Sequence, residues 1–594
     1  MTKRLIAALS FIYAFAACEE AKKKAAPKAP VKTEIAMPAS EADKPQAAIA
    51  PPDAGQIPPP PKDPDVEAAI PDSVKALDEP AITNFPGGIQ MAVTAATEKA
   101  QAHVNQGLNH LHGGWEFEAS RHFAAAMRED PDCLLAHWGM LMSLLSPSPE
   151  TAPVRNGATK RLLDLIGRGK GSELERGYAF GLVNYLQNGP SGAANTFRKV
   201  AEKFPNELQA GIFAALFSRG GYDELGTATP DQEAAEKSLL TLIAKHPHSP
   251  LPLNALLTIR ADGPDLASSL DLARKLCQMS PNYGPYFHLL GHYEWRCGQH
   301  GEAAAAFGRA SSYFEGWMKE NKATVADCPE WVKAECYRIV ALASKGDFDT
   351  AYAAARQIAA TPIPEKRNAS PGVRFLLWEA KTLPARILLH RGLRGNAAEA
   401  LYSLPKPPDL KTTREKSLAY WWIDGLRFAL EARCLLDAGK FGEAQQVVAA
   451  FTLHGEEMSK TQAEAAAIGE RSAWTRAFRA LEVLASDLRG RLALAGPQVG
   501  VGTAYNWFAS AADRQQPAPM MFPPMILTPM AIRLGEYYLA VNQPKEAIEA
   551  YQRALAAFPN DMNALLGLKT SCEKADLTAE AAETDRKIQD LRAQ

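Results

Sequence analysis

From about Thr94 to the C-terminus, apolar residues recur every three or four positions and β-branched runs are few. That is the period of amphipathic helices, not of strands. Inside it a spacing repeats. Gly107, Ala119, Phe123, Ala126 and Pro131 are 12, 4, 3 and 5 residues apart, and Gly535, Ala547, Tyr551, Ala554 and Pro559 repeat those intervals. Gly291, Ala303, Phe307 and Ala310 repeat the first three, and Gly181, Ala193 and Phe197 repeat two, with Pro205 where the proline falls. The spacing describes a helix hairpin. A small residue on the first helix lets the second approach. The 12-residue step crosses a turn, His112 to Trp115 in one copy and Asn542 to Pro544 in another. The next small residue, the aromatic four on and the alanine three further share one face of the second helix. Proline then ends that helix. One such hairpin cannot bury both faces, whereas stacked neighbours can, so an α-solenoid is predicted.

These residues resemble the tetratricopeptide repeat family. The C-terminal copy is the most complete, with Leu534, Gly535, Tyr538, Ala547, Tyr551, Ala554 and Pro559 in place. Ala432, Leu435, Gly439 and Ala444 look like a weaker unit, and so do Gly346, Phe348 and Ala351. Prolines crowd residues 365–415, and residues 498–529 are rich in Gly, Pro and Met; irregular turns are expected in the first and a surface loop in the second. The resemblance implies an all-α, right-handed solenoid, set out as arrays over 85–360 and 361–594. The run from Val104 to Met140 is similar to the opening unit of a group of bacterial tetratricopeptide proteins, through Gln106, Gly107, Leu108, Asp130, Pro131, Cys133, Trp138 and Gly139. A central repeat of that group carries His-Met-Pro-Ser-His, and here His288 and His292 stand at the matching place without the Met and Pro. The function implied is protein association on a scaffold, without catalysis.

The chain begins differently. Lys3 and Arg4 precede an apolar stretch from Leu5 to Phe15, then Ala16, Ala17 and Cys18. This is the layout of an export signal over 1–17, too short to span a bilayer. Phe-Ala-Ala-Cys resembles the lipobox of bacterial lipoproteins, with Phe15 where Leu is usual, which implies lipidation of Cys18. Glu20 then favours an outer-membrane lipoprotein facing the periplasm or the cell surface. Residues 18–84 are Ala, Pro, Lys and Glu with only isolated apolar positions, a composition that suits an extended, disordered tether.

Composition narrows the chemistry. The 594 residues are 46% hydrophobic and 22% charged with a formal charge of −2, so no global field draws nucleic acid, and no nucleic-acid partner is expected. There is no GxxxxGK[ST] loop and no G-x-S-x-G elbow, and no cofactor is expected. His288 and His292, at i and i+4 on one helix, are the candidate metal ligands, with a third from Glu294 or from the early group His103, His110, His112, His122 and His137. Packed histidines are the alternative. Cys277 with Cys297, and Cys328 with Cys336, could bridge in an oxidising compartment or serve as small apolar residues. Tyr420, Trp421 and Trp422 could stack on a sugar or pack between repeats. The expectation is an exported, lipid-anchored, non-enzymatic scaffold that binds envelope protein or peptide on its concave face. A metal-binding protein or metal-dependent enzyme, and a binder of glycan or cell-wall fragments, are the alternatives.

Overall fold

The structure, a computed structural model, describes residues 63–593 apart from 147, 224–225, 394, 407–413, 415–416, 496–500 and 517–518. Cys18, the signal segment and most of the proposed tether lie outside the described residues. Residues 63–84, which composition places in the tether, carry two short helices, α1 (Pro64–Ala68) and α2 (Asp72–Lys75). Val66, Ile70 and Val74 are buried against the first array. A few apolar residues suffice there, because the array supplies the rest of the core. Asp63 starts α1 by accepting from the Asp65 and Val66 amides.

The array follows as α3 (Glu98–His112), α4 (Glu116–Glu129), α5 (Leu134–Ser143), α6 (Ala152–Gly167), α7 (Glu173–Lys203), α8 (Leu208–Ser218), α9 (Pro230–Lys245), α10 (Pro250–Arg260), α11 (Leu270–Met279), α12 (Gly284–Arg296), α13 (His300–Glu320), α14 (Pro329–Lys345) and α15 (Phe348–Ala359). Then come α16 (Pro371–Trp378), α17 (Leu383–Arg391), α18 (Asn396–Ser403), α19 (Ala419–Asp437), α20 (Phe441–Ser459), α21 (Gln462–Ala467), α22 (Arg471–Ala495), α23 (Val501–Arg514), α24 (Ala531–Ala540), α25 (Pro544–Ala557), α26 (Met562–Lys574) and α27 (Thr578–Ala593). Among the described residues the only β feature is an isolated bridge between Tyr222 and Ala228. Consecutive helices pack side by side, most extensively α12 on α13, α13 on α14, α22 on α23 and α3 on α4. The fold is therefore all-α, a solenoid of hairpins. Its core is a chain of apolar clusters, and one of them runs from Trp295 through Val340 to Ile387, across the boundary drawn near 360.

The repeated spacing has a direct physical origin. A Cβ on Gly107 would lie 2.7 Å from the Phe123 ring, on Gly181 2.7 Å from Phe197, on Gly291 2.9 Å from Phe307, and on Gly535 2.5 Å from Tyr551. Real Cβ atoms do not approach that closely, so each glycine is the slot for the aromatic 16 residues later. Phe123 and Tyr551 are gripped from both sides, because Gly139 and Gly567, on the following helices, would bring a Cβ to 2.2 and 2.1 Å of the same rings. The Gly181 hairpin is hidden inside α7. Gly189, at φ +73°, and Pro190 break that helix into two arms, and the second arm folds Phe197 back onto the first.

Residues 498–529 depart from the surface loop expected of them. Residues 501–514 form α23, whose Ala504, Phe508 and Ala511 are buried. After it, residues 519–528 run inward, with Met520, Met525 and Leu527 buried. Gly and Pro at the flanks concealed an amphipathic helix of 14 residues.

Candidate functional site

Residues 519–528 lie across the first helices of successive hairpins. Tyr337 on α14 turns its one hydroxyl hydrogen to the Pro519 and Phe522 carbonyls, 2.5 and 2.7 Å from its oxygen. His288 on α12 pairs with the Met520 carbonyl at 3.2 Å, and Asp262 accepts the Met520 amide at 3.1 Å. Arg476 on α22 donates to the Pro523 carbonyl at 2.6 Å, and buried Arg386 on α17 donates to that of Pro524. Arg476 also lies over the Phe522 ring, which stacks on Phe375 with centroids 5.2 Å apart. Four helices thus hold by its carbonyls an irregular, non-helical stretch of backbone that opens with a turn, the Phe522 amide donating to the Pro519 carbonyl at 3.2 Å.

Past Met525 the same face opens into a cavity of about 410 Å³, walled by Met525–Thr528 and by α17, α19, α22, α24 and α26. Its lining is rich in charge: Arg386, Arg391, Arg433, Arg491 and Arg533 against Asp437, Asp487 and Glu536. Asp487 ties two of the cations, accepting from Arg491 Nε at 2.9 and 3.0 Å and facing Arg533 Nε at 3.3 Å. Burial opposes the Asp487 charge, yet Arg491 and Arg533 outweigh it and hold the carboxyl below its ordinary range. Arg491 Nη2 and His390 Nδ1 are buried with no hydrogen-bond partner among the described residues. Burial, then nearby Arg533, lowers His390 to about 3, so it is neutral at pH 7. The arrangement can bind an anionic or hydrogen-bond-accepting group; nothing in it activates a nucleophile. No local motif marks this cavity in the sequence, because its arginines come from four helices, α17, α19, α22 and α24, spread between Arg386 and Arg533.

The candidate metal pair is separated by its partners. His288 Nε2 turns to the Met520 carbonyl, while His292 Nε2 turns to the Ala261 carbonyl at 2.9 Å. Burial lowers these imidazoles to about 4 and about 3. No third imidazole, thiol or carboxylate among the described residues joins them at ligand spacing, and Glu294 faces Arg274 at 3.7 Å. The early histidines divide. His137 pairs with the Pro131 carbonyl at 2.9 Å and His112 with Gln209 at 3.1 Å. His103, His110 and His122 converge between α3 and α4, and Glu118 joins them. Among the described residues the cysteines are all free, Cys277, Cys328 and Cys336 buried and Cys297 half-buried. Trp422 is fully buried, donating to Thr382 at 3.1 Å, and Trp421 packs on His454 with centroids 5.0 Å apart.

Stacked hairpins, glycine slots and a face that grips non-helical backbone define a helical-repeat scaffold. The tetratricopeptide repeat model matches residues 530–569, so the chain carries a tetratricopeptide repeat there. No curated protein matches the sequence. Among solved structures, human IFIT1 in its dimer with PPP-AAAA is similar at 14% identity, over 77% of this chain and 91% of its own, with a TM-score of 0.34. The P58(IPK) TPR domain is similar at 13% identity, over 81% of this chain and 99% of its own, with a TM-score of 0.19. Likenesses of that size carry no argument about a ligand.

Proposed function

We propose that the chain is an exported scaffold, anchored by lipid at Cys18 in the outer membrane, that docks an extended segment of an envelope protein beside its own residues 519–528. The observation that carries this reading is the grip on those residues. Tyr337, Arg386 and Arg476 recognise backbone carbonyls, which every peptide has, and the cavity beyond offers further guanidinium groups. The five lining arginines, of which Arg491 keeps a buried Nη2 with no hydrogen-bond partner among the described residues, favour a partner segment that brings a carboxylate, its own C-terminus or an acidic side chain. The export-like segment and lipobox-like Cys18 support an encounter in the envelope. Multiple acyl chains hold such a body on a membrane without a spanning helix, and no described helix is long and apolar enough to span one.

The test is made in cells. A photo-crosslinking residue at Thr570, on the exposed rim of the cavity, is expected to capture a discrete envelope protein, and one at exposed Glu233 on α9 is not. Cys18→Ser is expected to abolish incorporation of labelled fatty acid and to reduce the capture. Equal capture at both positions, or an unlabelled wild-type chain, contradicts the corresponding half of the proposal.

A further inference from the structure

The α3–α4 hairpin buries a polar cluster that peptide docking does not use. His110 on α3 and Glu118 and His122 on α4 each offer a ligand atom, and these atoms lie within 4.8 Å of one another. All three residues are at least nine-tenths buried. The His110 and His122 ring centroids are 5.3 Å apart with their planes 15° from parallel. Two imidazoles that share a tetrahedral ion at about 2.0–2.1 Å place their centroids about 5 Å apart.

The remaining atoms of the trio are already engaged. His122 Nδ1 faces His103 Nδ1 at 3.1 Å, and His103 Nε2 faces Glu79 at 3.3 Å. That leaves His122 Nε2 toward Glu118, whose Oε1 is 3.9 Å away. His110 Nδ1 pairs with the Tyr283 hydroxyl at 3.3 Å, which leaves its Nε2. Glu118 Oε2 accepts from Arg121 at 2.7 Å and from Trp317 at 3.1 Å, which leaves Oε1. Each ligand is thus oriented through its far atom by a neighbour, the pattern that fixes tautomer and direction at metal centres. Among the described residues Arg121 is the one cation in contact with Glu118, and it is spread over the Asp78 carbonyl at 2.9 Å and Asn321 at 2.8 Å as well.

We propose that His110, Glu118 and His122 bind one divalent transition-metal ion, zinc in class, leaving a fourth position for water. Two imidazoles and one carboxylate form a borderline donor set suited to zinc and poor for calcium or magnesium, which take oxygen ligands. Binding draws the three ligand atoms together by small side-chain movements. Because Asp78, Glu79, Tyr283, Trp317 and Asn321 reach the cluster from other elements, the ion fastens the segment after the tether to α3, α4 and α13.

The test uses the full purified chain, stripped by chelator and titrated with zinc alone and cobalt(II) alone. One equivalent of zinc is expected to bind, and cobalt is expected to give the intense visible bands of a four-coordinate site. Glu118→Gln, which keeps the side-chain shape, is expected to abolish stoichiometric binding. His103→Gln is expected to weaken it by about 10- to 100-fold, the usual effect of losing an orienting partner. His288→Gln is expected to change neither. Circular dichroism confirms that each variant is folded. A folded wild-type chain that retains no zinc and shows only the pale spectrum of hydrated cobalt overturns the proposal. So does binding that survives Glu118→Gln but is lost in His288→Gln.

Discussion

Lowering the pH from 7 to 5 is expected to destabilise the fold by several kcal/mol, through histidines. His110, His292 and His390 titrate at about 3 in the folded chain, and His112, His137, His288 and His300 at about 4. Burial is the leading cause for each. In the unfolded chain they titrate near 6.5. The folded values are the lower ones, so the unfolded state binds more protons between pH 6.5 and 4. Their contribution is complete above pH 6.5 and is lost as the pH falls through that window, at roughly 2 kcal/mol for each buried histidine by pH 5. Buried carboxyls act in the opposite sense. Glu116, Glu294 and Asp561 are raised by burial to about 7, so they oppose folding at neutrality and relax on acidification. His103 and His122 are also lowered, and Glu118 and Asp262 also raised, so nine imidazoles stand against five carboxyls and leave a net loss. The check is a urea titration followed by circular dichroism at both pH values. A midpoint at pH 5 equal to or above that at pH 7 contradicts the prediction.

The second large effect is expected at Asp487. Asp487→Asn removes the one anion shared by Arg491 and Arg533; Arg533 keeps Glu536 at 2.7 Å, while buried Arg491 loses the carboxylate its Nε donates to. Removing one partner of a buried ion pair costs about 3–5 kcal/mol, because the charge left behind is uncompensated. Asp487→Leu combined with Arg491→Leu is expected to recover much of that loss, since the unpaired charge goes with its partner. The urea midpoints of the single and double variants decide it. A single variant as stable as the wild type would mean that water already solvates this end of the cavity.

Contacts made at close range left the clearest marks in the sequence. Only glycine fits against Phe123, Phe197, Phe307 and Tyr551, so the spacing from slot to ring was legible without a structure. The glycines that mark the weaker units, Gly346 (φ +96°) and Gly439 (φ +72°), have a related origin, since both take the left-handed backbone. Contacts made at long range left no such mark. Val66, Ile70 and Val74 look isolated because their partners lie on the first array. The inward run of residues 519–528 depends on Tyr337, 182 residues before Pro519, and on Arg386, 138 before Pro524. The histidines of α3 and α4 were visible as a crowd, but Glu118 was not singled out, because a carboxylate on an amphipathic helix is ordinarily a solvent-facing residue. Its burial comes from Trp317 and Arg121. The pair His288 and His292 had the spacing of ligands but met different carbonyls.

The central claim is that this scaffold holds an extended, carboxylate-bearing segment at the arginine-lined end of its inner face. The most direct measurement is fluorescence anisotropy of the purified chain with a panel of labelled extended peptides, each made with a free C-terminal carboxylate and again as the amide. The carboxylate forms are expected to bind, their amides to bind more weakly, and Arg433→Ala to weaken the carboxylate forms by about 10-fold or more. Binding indifferent to both the carboxylate and Arg433, or no binding by any peptide in the panel, contradicts the account.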